Sequence, residues 1–257
     1  MQFKVVIPAR YGASRLPGKP LRELAGWPLV RHVHARALES GAEAVIATDD
    51  ARIRDACRAF GAEVCMTAAD HASGTARIAE VVDQRGWPDA TLVVNLQGDE
   101  PLVPPQLLRD VAADLADHVD ADLATLATPI DSGADLADPN VVKVVTDAAG
   151  YALYFSRAAV PWDRDRFAAA GGAAAAGPGP VHQRHVGLYA YRAGYLRRYV
   201  TLAPSPLEAI ESLEQLRVLW HGGRIHVARA AAAPGHGVDT EADLARVATL
   251  LAVRGPA

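Results

Sequence analysis

With 257 residues, half of them apolar, and a formal net charge of −4, the chain can bury one large core and is not a general nucleic-acid binder. Its first residues do not read as a secretory leader and no apolar run reaches membrane-spanning length, so a cytoplasmic protein without stable membrane association is expected. Cys57 and Cys65 fit neither a zinc pattern nor a C-x-x-C redox pair and are expected to be reduced core thiols.

The apolar run from Phe3 to Ile7 reads as a buried strand that empties into PARYGASRLPGKPL. Arg10, Arg15 and Lys19 place three fixed positive charges on a loop that Gly12 and Gly18 keep bendable, which suits a polyphosphate. It is not a Walker A loop, because Pro20 follows Lys19 and no helix is expected to start there. Pro28 opens a helical pattern that Gly41 closes; residues 44–48 form a strand, and Asp49 or Asp50 can cap the helix running to Phe60. A short strand at 63–66, a helix from Thr75 to Arg85, a strand at 91–96 and a helix from Pro104 to Asp117 continue the alternation. This βαβα rhythm predicts an α/β fold with a mostly parallel central sheet.

The rhythm changes after residue 120. Residues 122–128 alternate polar and apolar, 141–146 and 151–155 flank a hairpin turn at 147–150, and 185–191 is a further strand. Residues 167–180, an Ala/Gly/Pro run, are expected to be a mobile excursion. Ser205 begins a helix with Glu208 as capping-box partner and Leu207, Ile210, Leu213 and Leu216 as its apolar stripe. A last strand at 224–229 and a helix from Asp239 to Leu251 close the chain.

The segment NLQGDEP puts Gln97, Asp99 and Glu100 just past the fourth strand, at the edge where parallel α/β sheets bind ligands. Asp99 there presents a hard oxygen suited to Mg²⁺, and with the basic loop this points to a metal-assisted nucleotide reaction.

Together with ADHASGTARIAEV, PNVVKVV, GYALYFSRAAVPWDRDRF, RHVGLYAYR, SPLEAIESLEQLRVLW and GVDT, these motifs resemble the 3-deoxy-manno-octulosonate (Kdo) cytidylyltransferases, from Phe3 to about Arg246. The chain departs from that pattern at His236 and in the Ala/Gly run. The resemblance implies a homodimer on a nucleotide-diphospho-sugar-transferase-like, Rossmann-like scaffold. It implies the reaction of CTP with Kdo to CMP-Kdo and pyrophosphate, with Mg²⁺, for lipopolysaccharide assembly. As a single domain over 1–257 it would comprise a CTP-binding half (1–120), a smaller mixed sugar-binding and dimerisation portion (121–230) and a C-terminal segment with a metal ligand (231–257).

Carried over by position, Arg10, Ser14, Arg15 and Lys19 match the triphosphate loop, Ser73, Gly74, Thr75 and Arg77 a nucleotide-facing helix start, and Gln97 a nucleotide reader. Arg10, Lys19, Asp99 and Asp239 would carry catalysis, with Asp99 and Asp239 holding Mg²⁺; Asp239 also suits an N-cap. Arg157 would bind the sugar acid's carboxylate, and His185 and Tyr189, alternating on one strand face, would line its pocket; Tyr191 shares that face by spacing. Glu211 and Gln215, at i and i+4 of one helix face, with Glu214 beside them, would take its hydroxyls or be ordinary exposed helix polar groups. Two alternatives stay open: a cytidylyltransferase for another ulosonic acid, and a silent nucleotide-binding subunit.

Overall fold

β1 (Lys4–Pro8) is the N-terminal apolar run, and Val5, Val6 and Ile7 at its centre are fully buried. The computed structural model describes residues 1–12 and 16–254. Gly18, at φ 68°, turns the chain into a single 3-10 turn at Lys19–Leu21, where a plain loop was expected. β2 (Glu23–Leu24) and β3 (Trp27–Pro28) form a small antiparallel ribbon. α1 (Leu29–Glu39), β4 (Glu43–Thr48), α2 (Ala51–Ala59), β5 (Glu63–Met66), α3 (Gly74–Gln84), β6 (Leu92–Asn95) and α4 (Pro105–Asp117) then alternate. Asp50 caps α2 by accepting from the Arg52 N–H, as its acidic side chain before an apolar stripe predicts.

The remaining elements are β7 (Leu123–Pro129), α5 (Gly133–Ala137), β8 (Lys143–Thr146), β9 (Ala152–Ser156), α6 (Arg164–Ala170), α7 (Ala173–Ala176), β10 (Gln183–Arg192), α8 (Ala193–Tyr199), α9 (Pro206–Glu211), α10 (Gln215–Trp220), β11 (Ile225–Arg229) and α11 (Glu241–Arg254). The chain divides into two compact units: residues 1–113, 190–200 and 231–257, and residues 114–189 and 201–230.

In the first unit β1 pairs in parallel with β4 and with β6, and β4 with β5, giving the order β6-β1-β4-β5. The chain winds outward from β1 through β4 to β5 and then returns to β6 on the opposite side of β1. That reversal opens a crevice at the carboxyl ends of β1 and β6, the place where open α/β sheets take ligands. A cluster of Leu16, Leu24, Leu29, Leu102, Val238, Leu244 and Val247 fastens the basic loop, the chain after β6 and α11 together. Each such fully buried side chain contributes about 1.5–3 kcal/mol. Cys57 and Cys65 are free buried thiols, and burial pushes Cys57 up to about 12.

In the second unit β11 runs parallel to β7, while β8 pairs antiparallel with both β9 and β10. The β8–β9 hairpin turns where expected, Asp147 accepting from the Ala149 and Tyr151 N–H groups.

Three expectations are corrected. The Ala/Gly run is not an excursion: it is folded into α6 and α7, with Phe167 buried against Ile130 and Leu136 and with Ala173 and Ala176 packed on that cluster. Alanine is the best helix former, and one preceding aromatic suffices to anchor it. The helix from Ser205 stops at Glu211, because Ser212 adopts left-handed φ 52°; Ile210 is 81% exposed, so no continuous apolar stripe exists. Its start is as expected, with a complete Ser205–Glu208 capping box. Finally, α11 is not capped by Asp239. Thr240 Oγ1 accepts from the Asp243 N–H while Asp243 accepts from the Thr240 N–H, a reciprocal cap one residue later.

Candidate active site

At the switch point in the first unit the chain after β6 lies directly on the end of β1. A Cβ at Gly98 would meet the Pro8 carbonyl oxygen at 2.7 Å, so only glycine permits this approach. A Cβ at Gly74 would lie 3.5 Å from the Pro8 ring and 3.9 Å from Gln97 Oε1, which places the Gln97 carboxamide beside the start of α3. Gln97 Nε2 donates to Asn95 Oδ1 at 3.3 Å.

The segment before α11 then docks along 99–102. The Val238 N–H donates to the Asp99 carbonyl at 2.8 Å, and a Cβ at Gly235 would meet the Leu102 carbonyl oxygen at 2.5 Å. This backbone pairing, together with the burial of Val238, brings Asp239 to Asp99. Lys19 Nζ donates to Asp99 Oδ2 at 2.7 Å and to Asp239 Oδ1 at 3.1 Å, so both carboxylates converge on one cationic position. Burial alone would lower the Lys19 pKa; the attraction and hydrogen bonds of Asp99 and Asp239 outweigh it, and the pKa lies above the lysine value. An ammonium has three N–H donors, so one remains beyond the two carboxylates.

Two hard carboxylate oxygens meeting at a cation, with summed charge −1 over Lys19, Asp99 and Asp239, form a donor set that fits Mg²⁺. In the second unit Asp114, His118 and His226 also bring ligand-capable atoms within 4.8 Å of one another. There, however, the two imidazoles stack at 3.4 Å with planes 15° apart. A nitrogen lone pair lies in its ring plane, so nearly parallel stacked rings cannot aim both at one ion. His226 Nδ1 instead faces Asp114 at 2.7 Å and its Nε2 faces the Ala149 carbonyl, making a hydrogen-bonded ring stack.

Of the other nucleotide candidates, Arg10 is exposed just past β1, while Ser14 and Arg15 lie outside the described residues. Ser73 caps α3, its hydroxyl accepting from the Ala76 N–H, with Gly74 and Thr75 forming the first turn. Arg77 is not a solvated helix residue: it is 4% exposed and committed to Thr67 Oγ1 and to Asp49 at 3.5 Å. It braces α3 against the ends of β4 and β5.

The sugar-side candidates lie in the second unit. Arg157 donates from Nε to the Glu211 carbonyl at 2.6 Å and from its terminal nitrogens to the Pro139 and Ser212 carbonyls at 2.9 and 3.5 Å. A guanidinium carries five N–H groups, so one on each terminal nitrogen has no partner among the described residues. The Glu211 carboxylate accepts from Ser156 Oγ at 2.7 Å and the Arg157 N–H at 2.9 Å, which makes it a brace for Arg157. The break at Ser212 means that Glu211 and Gln215 do not share a helix face: Glu214 precedes α10 and is exposed, and Gln215 is buried.

His185 and Tyr189 do share a face, with ring centroids 5.3 Å apart, and Phe155 meets His185 edge-on. Tyr191 is buried. Thr125 Oγ1 is 3.0 and 2.8 Å from the Val186 and Leu188 carbonyls, which can only accept, so its single proton goes to them. His185 Nε2, 3.1 Å from the same oxygen, is therefore the donor, and its Nδ1 keeps an acceptor lone pair. Desolvation drives the His185 pKa down to about 3, so the ring is neutral. Ser156 and Thr125, which orient these groups, carry no sequence signal of their own: each is a hydroxyl inside an ordinary strand.

Comparisons with known proteins show the family and the fold. A cytidylyltransferase family profile matches residues 4–225. The 3-deoxy-manno-octulosonate cytidylyltransferase of Idiomarina loihiensis is 57% identical over 251 residues, covering 97% of this chain and 98% of that protein. The enzyme of that name from Halorhodospira halophila is 61% identical over 250 residues, covering 97% and 96%. A solved CMP:2-keto-3-deoxy-manno-octonic acid synthetase complexed with CTP superposes with TM-score 0.88 at 42% identity, covering 99% of this chain and all of the other. A nucleotidyl transferase from Methanothermobacter thermautotroptrophicus, at 16% identity and TM-score 0.60, shares the fold. The chain belongs to the 3-deoxy-manno-octulosonate cytidylyltransferase family.

Proposed function

We propose that the protein activates Kdo for lipopolysaccharide assembly: the anomeric hydroxyl attacks the α-phosphorus of CTP in line, the bond to the bridging oxygen breaks, and pyrophosphate leaves. The observation that carries this reading is the convergence of Lys19, Asp99 and Asp239 at the switch point. Lys19 directs its remaining N–H to the triphosphate, and with Arg10 it offsets the charge that grows on the leaving pyrophosphate. Ser73, Gly74, Thr75 and Gln97 border the nucleotide, with Arg77 holding the helix start in place. Asp99 and Asp239 would hold Mg²⁺, which supplies Lewis acidity that lowers the hydroxyl's pKa and offsets phosphate charge.

On the sugar side, Arg157 keeps one N–H on each terminal nitrogen, the number that a bidentate contact with a carboxylate takes. The neutral His185, with Nδ1 as acceptor, suits a sugar hydroxyl, and Tyr189 packs beside it. Glu211 holds Arg157 in place rather than reaching a ligand itself.

Pyrophosphate release across a panel of nucleotides crossed with a panel of sugar acids tests the assignment. Release is expected only with CTP, Kdo and Mg²⁺ together, weaker release with UTP being compatible. Equal or faster turnover with N-acetylneuraminate would move the assignment to another ulosonic acid, and no turnover with any sugar acid would leave a nucleotide-binding subunit.

A further inference from the structure

Lys143, in the PNVVKVV segment, has no role in the reaction as derived so far, yet it is the most deeply buried cation of the second unit, at 0% exposure. Its ammonium donates to the carbonyl oxygens of Val141 at 2.5 Å, Arg157 at 2.6 Å and Asp138 at 2.9 Å. All three N–H groups are thereby committed, so Lys143 cannot also bind a ligand. Its direct partners are neutral; Asp138 and Glu211 attract it, and the Arg157 guanidinium repels it, only through longer-range Coulombic interaction. A methionine would fill the same space without the cost of desolvating a charge. The charge therefore needs a reason beyond packing.

That reason lies in what the three carbonyls belong to. Asp138 and Val141 flank Pro139, whose carbonyl accepts from Arg157, and the third carbonyl is that of Arg157 itself. Two cations thus grip the same loop, while Glu211 and Ser156 hold Arg157 from the other side. We propose that Lys143 is a positioning residue for the sugar-acid carboxylate: it fixes the backbone on both sides of Arg157 so that the guanidinium offers its two remaining N–H groups in one orientation. No carboxylate among the described residues touches its ammonium directly. The proposal rests on Arg157 being the carboxylate's partner.

The test is the kinetics of Lys143→Met, which keeps the volume and removes the ammonium. The KM for Kdo should rise by about tenfold or more, while the KM for CTP stays within about twofold and kcat at saturation falls little. A purely structural lysine would instead lower the active fraction and leave both KM values unchanged. If that variant does not fold, Lys143→Ala with added n-propylammonium replaces it: the amine, and not 1-propanol, should return the KM for Kdo towards wild type. In the wild type, burial holds the Lys143 pKa below the ordinary 10.5. The KM for Kdo should therefore rise as pH climbs through that lowered value. An unchanged KM for Kdo, parallel changes in both KM values, or no rescue by the amine overturns the proposal. A wild type that turns over CTP with other sugar acids but not with Kdo overturns the underlying assignment, and this one with it.

Discussion

Asp239 reaches Lys19 because the Val238 N–H is bonded to the Asp99 carbonyl, and because the helix cap is carried by its neighbours Thr240 and Asp243. The contact with Lys19 and the helix cap, which compete for one carboxylate in the sequence, are thus divided between adjacent residues in the structure. The two roles can be separated by mutation. Asp239→Asn removes a charge from the cation position and leaves the cap intact, so thermal stability should barely change. Its kcat should fall by roughly two to four orders of magnitude, without rescue by added Mg²⁺. Thr240→Ala should do the reverse, costing about 1 kcal/mol in urea unfolding with kcat nearly intact. If instead Asp239→Asn lowers stability and spares turnover, the carboxylate is structural and the cation site has been misassigned.

At the scale of elements, legibility followed the range of the forces involved. Local chemistry was readable: the Pro28 start of α1, the Asp50 cap, the Ser205–Glu208 capping box and the 147–150 hairpin turn all rest on residues within a few positions of one another. Two failures were also local, one from a misleading signal and one from a missing one. The apolar spacing after Ser205 suggested one helix, but a left-handed residue at 212 splits it, and the orphaned carbonyls of Glu211 and Ser212 are taken by Arg157. The alanines after Phe167 carried no pattern, so their helicity was hidden in propensity alone. The pairing of 235–239 with 99–102 is long-range and was accessible only through family resemblance. It depends on Gly235, where a Cβ would fall 2.5 Å from a backbone oxygen that cannot move aside cheaply. Gly235→Ala should therefore destabilise by about 1–3 kcal/mol. It should also raise the Mg²⁺ concentration needed for half-maximal activity, because Asp239 is displaced with its segment. A variant with the wild-type Mg²⁺ dependence would show that the docking does not set the cation site.

For the whole molecule, histidines whose pKa values are lowered by desolvation set the acid limit of stability. Burial lowers the pKa of His32, His34 and His185, the last to about 3. Below the unfolded histidine value of 6.5 the unfolded chain takes up a proton that native His185 refuses, so stability must fall as pH drops. The contribution is fully present above 6.5 and is lost progressively down to about 3. Carboxylates enter the same balance only at lower pH. Asp50 beside Arg52 and Asp243 beside Thr240 are held below the usual carboxylate value of 3.8, so their contributions are lost in more acid solution. Glu80, hydrogen-bonded to His71, is held below 4.5 and begins to enter near pH 5, so comparison with a variant that lacks His185 is what isolates that histidine. One excluded proton corresponds to a slope of about 1.4 kcal/mol per pH unit. His185→Gln keeps an N–H donor for Thr125 and cannot titrate, so the slope of unfolding free energy against pH should be shallower than wild type by about that amount. Urea unfolding of both proteins at pH 6 and pH 5 measures the difference directly. Equal slopes would mean that His185 accepts a proton in the native state, and the neutral ring with Nδ1 as acceptor, on which its proposed contact with the sugar rests, would have to be abandoned.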